Sequence, residues 1–176
     1  MKFIRKVHYY CDRISHEIRL MDAKRMLISG AIFLLLGITP WFIGGAPDKV
    51  NMFFIFPRCA LPIFHAFTIW GISFLFCGII FGGVLFGCEK YKRGHSSKVA
   101  LFIAVMHLFT ICVYPTFFGA LSPFFAFILL LISLLFCFLS IMSCVKLYSL
   151  WTICLSIHFL WLLYNSYLAL AFTFVN

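Results

Sequence analysis

Residues 123–144 read PFFAFILLLISLLFCFLSIMSC. After the opening proline, three serines are the only interruptions to an otherwise apolar run, and no charge falls within it. As a helix rising 1.5 Å per residue it would be about 33 Å long, enough to cross the hydrocarbon core of a bilayer. A link over 119–122 joins it to a second apolar run, Val99 to Phe118, broken near its end by Pro115. On the other side Lys146 marks a turn, and a third run covers Leu150 to Phe174. Towards the N-terminus lie Leu61 to Phe86, entered between Pro57 and Pro62, and Met26 to Gly44. The latter closes on Pro40, Trp41, Gly44, Gly45 and Pro47, with Trp41 suited to the aromatic belt at the membrane surface.

The composition agrees. The chain has 176 residues, of which 64% are apolar, 20% aromatic and 11% charged, with a mean hydropathy of +1.09. Soluble domains carry about 25% charged residues, so a soluble globular domain, a disordered tail and a nucleic-acid binder are all excluded as classes. Length alone allows roughly four to six spans; the individual runs resolve five. A lipid-facing backbone must satisfy its own hydrogen bonds, so the spans are helices. The expected fold is an all-α integral membrane protein: a five-helix bundle over 26–176, preceded by a basic amphipathic segment over 1–25. In that segment Ile14, Ile18 and Met21 share a helical face, consistent with a helix lying at the membrane surface among anionic headgroups.

The net charge of +9 is distributed between the runs, not within them. If the sides alternate, only Lys49 and Arg58 fall on the second side, and the other twelve of the fourteen Lys and Arg share the side of the N-terminus. The positive-inside rule makes that side cytoplasmic, with the C-terminus opposite. No cleavable signal peptide is expected, because the first 25 residues are polar and mixed. The loop over 46–60 carries an apolar patch, Met52 to Phe56, expected to dip into the interface.

Eight cysteines, at 11, 59, 77, 88, 112, 137, 144 and 154, include no CxxC pair; in apolar runs a free thiol acts as a small hydrophobe. Gly78 and Gly82 form a small-xxx-small pair that lets helices approach closely. His65, His107 and His158 stand inside apolar runs, where an ionisable group marks a candidate site and an imidazole can ligate iron or another metal; hydrogen bonding to a neighbouring helix would explain them equally. No acidic residue lies within a span, which argues against a carboxylate proton relay. GxSxG, Walker A and GxGxxG motifs are all missing. On the last run His158, Trp161, Asn165 and Leu168 share one face, placing an amide beside an indole as a lining for a flat aromatic ligand.

The segment PRCALPIFHAFTIWGISFLFCG, residues 57–78, resembles the second helix of the TspO/MBR family, the translocator or tryptophan-rich sensory proteins. The matching positions are Pro57, Pro62, Trp70, Phe74 and Gly78. YPTFFGALSP, from Tyr114 to Pro123, is similar to the family's W-S-x-x-F-F end of the third helix. LWLLYNSYLALAFTFVN is similar to its closing helix through Trp161, Tyr164, Leu168 and Asn176. The chain departs from the pattern at Phe56, Leu61, His107, Ile111, Tyr114, Ile157, His158 and Ala169. The resemblance covers about residues 57–176 and implies five helices around a cavity for a hydrophobic aromatic ligand, a porphyrin, haem or sterol-like molecule. The implied lining is Trp70, Phe74, His107, Ile111, Tyr114, Trp161 and Asn165, joined by His158 from the face described above. His107 and His158 become candidates for an axial contact to haem iron. No cofactor is required, and no catalytic residue is assigned. A homodimer and membrane lipids are the other partners implied. Two other readings stand beside the receptor: an accessory membrane subunit without a small-molecule ligand, and a porphyrin-degrading membrane enzyme.

Overall fold

The structure, a computed structural model, describes residues 2–19, 22–43, 54–58, 60, 63–87, 93–145 and 149–176. Among these there are no strands. Six α-helices follow one another: α1 (Lys2–Arg19), α2 (Ala23–Ile43), α3 (Ile63–Phe86), α4 (Arg93–Tyr114), α5 (Pro123–Cys144) and α6 (Ser149–Val175). The helices α2 to α6 are long and apolar enough to cross a membrane, so the protein is a five-helix, multi-pass membrane bundle.

Its surface bears this out residue by residue. Leu27, Ile28, Leu35 and Leu36 of α2, Phe124, Leu131, Leu135 and Phe138 of α5, and Ile153, Ile157, Leu160 and Leu163 of α6 are all exposed. Meanwhile Ser29, Thr110, Ser133, Ser140, Ser166, His107 and His158 are buried. Apolar outside and polar inside is the arrangement lipid favours, because a polar group facing hydrocarbon has no partner.

Helix ends follow local chemistry. Asp22 caps α2, accepting from the backbone N–H of Arg25 at 3.2 Å, as a short carboxylate does at an N-cap; the helix therefore starts at Ala23, three residues before the apolar run. Similarly α4 starts at Arg93 and not near Val99, since Arg93, His95 and Lys98 form helix outside the apolar stretch. At the other end of α4, Pro115 lacks an N–H and cannot continue the ladder. The chain widens into a π-helical turn, Pro115–Gly119, closed by Ala120 N–H donating to the Pro115 carbonyl at 2.9 Å.

Two halves pack by different means. In α2 and α3 the backbones nearly touch: a Cβ on Gly78 would lie 2.6 Å from the Ser29 carbonyl oxygen and 2.7 Å from Gly30 Cα. One turn on, a Cβ on Gly82 would meet Met26 Cα at 3.0 Å. The small-xxx-small pair thus faces α2. In α4, α5 and α6 side chains fill the seam, with Ile103, Met106, Leu130, Leu155 and Leu162 fully buried. Gly83 joins the halves, giving the ring of Trp151 on α6 a place against α3.

The bundle is tied at both ends. The Glu17 carboxylate of α1 accepts from the backbone N–H groups of Ser149 at 2.8 Å and Leu150 at 2.9 Å. These are unpaired donors of the first turn of α6, where the helix dipole also favours negative charge. The Glu17 contact therefore fastens α1 to the start of α6. At the opposite end Asn176 accepts from Ile55 N–H at 2.6 Å and donates to the Ile55 carbonyl at 3.2 Å. This holds Phe54 against Phe117 and Phe172, each 5.9 Å between ring centres. Of the expected apolar patch over 52–56, residues 54–56 thus cover the end of the bundle; Met52 and Phe53 lie outside the described residues, as do Cys59, Cys88 and Lys146.

Candidate functional site

Three helices contribute one face each to a small internal site. Trp70, Ser73, Phe74 and Cys77 on α3, His107 and Thr110 on α4, and His158 and Trp161 on α6 line the same void. The spacings of three, four and seven residues are those of single helical faces. The void measures about 10 Å³, room for one water-sized group.

The ring of His158 sits between two side chains of α3. Its Nδ1 is 3.1 Å from Ser73 Oγ and its Nε2 is 3.2 Å from Cys77 Sγ. Since Ser73 and Cys77 are one helical turn apart, each ring nitrogen meets one of them. The ring of His107 lies between Phe33 at 4.2 Å and Phe74 at 4.5 Å. His107 Nε2 is buried and has no hydrogen-bond partner. The same holds for the indole nitrogen of Trp70, whose ring is 5.6 Å from that of Phe74. Thr110 Oγ1 is satisfied, within reach of the Met106 carbonyl at 2.8 Å and Ser133 Oγ at 3.1 Å. The site therefore holds one orphan donor, Trp70 Nε1–H, and one orphan nitrogen, His107 Nε2, among aromatic walls. A buried polar atom without a partner costs about 1–3 kcal/mol, so both atoms favour a guest that can bond to them.

Phe74 keeps its place through α2. Its ring occupies the position a Cβ would take on Gly37, so α2 can pass only where it has no side chain.

Of the eight residues expected from the sequence, Trp70, Phe74, His107, His158 and Trp161 surround this void, while Ile111, Tyr114 and Asn165 are not on its wall. Tyr114 is buried and stacks on Phe118 at 4.5 Å. Asn165 turns its amide back on its own helix, donating to the Trp161 carbonyl at 2.7 Å. His65 is exposed and away from the site. Ser73, Cys77 and Thr110 were not anticipated; the spacing of Ser73 and Cys77 from Trp70 on one helical face was the available signal. Among the described residues no group of three His, Cys, Asp or Glu side chains is arranged to hold a metal ion. No family model, curated protein or solved structure matches the chain.

Proposed function

We propose that this protein is a membrane receptor for a hydrophobic aromatic ligand, of the kind the TspO/MBR resemblance implies, with its site at Trp70, Phe74, His107, His158 and Trp161. The observation that carries the proposal is the pair of buried, unpartnered nitrogens, Trp70 Nε1 and His107 Nε2, on one aromatic-lined void. A donor and a nitrogen fixed among rings orient a flat molecule that carries both kinds of polar atom. A tetrapyrrole is the first ligand to test. Pockets for molecules of that size run to several hundred Å³, so its binding requires α3 and α6 to part at Trp70 and Trp161. In this reading the basic N-terminal side is cytoplasmic, and membrane lipids and a second copy of the chain are the other partners.

The test is a tryptophan-quenching titration of the detergent-purified protein with protoporphyrin and with haem, alongside Trp70→Phe and Trp161→Phe. Saturable quenching at micromolar ligand, weakened by either substitution, supports the site. Linear quenching identical in all three proteins means partitioning into detergent, and favours an accessory subunit without a ligand. With haem, a Soret band that shifts in the double variant His107→Ala, His158→Ala identifies a contact to iron; an unshifted band removes it.

A further inference from the structure

Helix α1 is held at one end and bare along much of the rest. Val7, Tyr10, Cys11 and Ile14 share one helical face, at i, i+3, i+4 and i+7. Val7 is 45% and Tyr10 53% exposed, and Cys11 is exposed as well. Cover begins only towards the C-terminal end, where Ile14 is half-buried and Glu17 buried. There the Glu17 carboxylate meets the first turn of α6. Two points set the height of this end. The apolar span of α6 begins at Ser149 itself, and that of α2 begins at Ala23, directly after the Asp22 cap. So α1 leaves the bundle at the boundary where two spans enter hydrocarbon. It carries Lys2, Arg5, Lys6, Arg13 and Arg19 against Asp12 and Glu17, five basic groups against two acidic ones and a net +3. Of the two acids, Glu17 is already turned to α6 and to Arg13, 3.5 Å away.

We propose that α1 is an anionic-lipid clamp on the start of α6. Its apolar stripe lies in the bilayer interface, acidic headgroups hold its Lys and Arg, and Glu17 passes that hold to Ser149 and Leu150. Position and charge choose this occupant. A stripe pinned at the membrane boundary has hydrocarbon beside it, so it is buried by lying in the interface and not by standing in water. A second copy would bring two helices of net +3 together, whereas a leaflet of acidic lipid attracts each Lys and Arg near its surface. Free phosphate would answer the charge and leave the stripe bare. Confining α1 to the interface limits the orientations open to Glu17, which raises its effective concentration at the α6 amides. Those amides are orphan donors of a helix N-terminus, so their protection from exchange reports the clamp. The clamp uses none of the residues of the receptor site, and each reading can fail alone.

The full chain is placed in nanodiscs of phosphatidylcholine alone or with about 30% phosphatidylglycerol. Two rates are read: modification of Cys11 by a membrane-impermeant maleimide, located by peptide mass mapping, and hydrogen exchange at the Ser149 and Leu150 amides. In the acidic discs labelling of Cys11 is expected to slow about tenfold, a difference that collapses at about 0.5 M sodium chloride. Exchange at the two amides is expected to slow about threefold with it. The double variant Arg5→Gln, Lys6→Gln weakens both effects. Glu17→Ala keeps the slowing at Cys11 and loses that at the amides, which separates lipid binding from the clamp. Each variant is checked for unchanged helicity and elution before its rates are read. Inorganic phosphate added to the neutral discs leaves labelling unchanged; slowing by phosphate there overturns the choice of lipid. Cys11 labelled at one rate in both kinds of disc overturns the proposal, and a slow rate in both assigns the stripe to a second copy or another partner. Slowing at Cys11 with no slowing at Ser149 and Leu150 overturns the clamp.

Discussion

The α2–α3 half and the α4–α6 half of this bundle solve one problem in two ways. Between α2 and α3 the contact is backbone on backbone, made possible by Gly78 and Gly82. Between α4 and α5 it passes through side chains, among them Ser133, which donates to the Leu129 carbonyl at 3.0 Å and lies within reach of Met106 and Thr110. Lipid supplies no hydrophobic force between helices, so association relies on close packing and on polar bonds. Close packing between backbones is rigid, because no rotamer can yield. A polar bond between side chains is replaceable, because each hydroxyl also has its own helix's carbonyl four residues back.

The contrast can be broken most strongly at Gly78. Gly78→Ala would put a Cβ 2.6–2.7 Å from Ser29 and Gly30 backbone atoms and Phe33 Cβ. The expected loss is about 2–3 kcal/mol, typical of overpacking, read as a lower midpoint of unfolding by dodecyl sulfate. A midpoint equal to wild type would show that α2 is free to retreat. Next comes Gly83→Ala, which meets the ring of Trp151, a side chain and not a backbone. An expected loss of about 1–2 kcal/mol, smaller than at Gly78, would place the rigidity in the α2–α3 seam; the reverse order would place it at the junction between halves. Glu17→Ala removes the acceptor for Ser149 and Leu150 N–H and should cost about 1 kcal/mol, as losing an N-cap does. Hydrogen exchange should rise at the start of α6 and leave α2 and α3 unchanged. The smallest effect is expected at Ser133→Ala, about 0.6 kcal/mol, the average for such bonds between membrane helices. A loss as large as at Gly78 would erase the distinction between the halves.

Much of the architecture was legible. The run 123–144 coincides with α5, and Leu150 to Phe174 differs from α6 by one residue at each end. Agreement was poorer where helix continues past the apolar stretch, at Arg93 and Ala23. Hydropathy reports the thickness of hydrocarbon a segment matches; helices end where capping and proline end them. The site was legible in part. Trp70 and Phe74, and His158 and Trp161, could be placed together because each pair shares one helix. Tyr114 and Asn165 lie off the wall of this void, Tyr114 stacking on Phe118 and Asn165 turning its amide to the Trp161 carbonyl, because a residue on the right helix can still face another way.

The sequence by itself determined the number of spans and that histidines lie within them, because both depend only on how a residue partitions between water and lipid. It also made Gly78 and Gly82 available for a close contact. Only the tertiary structure decided that the contact is with Ser29 and Gly30, and that His158 bridges Ser73 and Cys77. It alone left Trp70 and His107 with unpaired nitrogens on one void. Which helices meet, and at what rotation, depends on the mutual fit of surfaces far apart in the chain, and local periodicity carries no record of it.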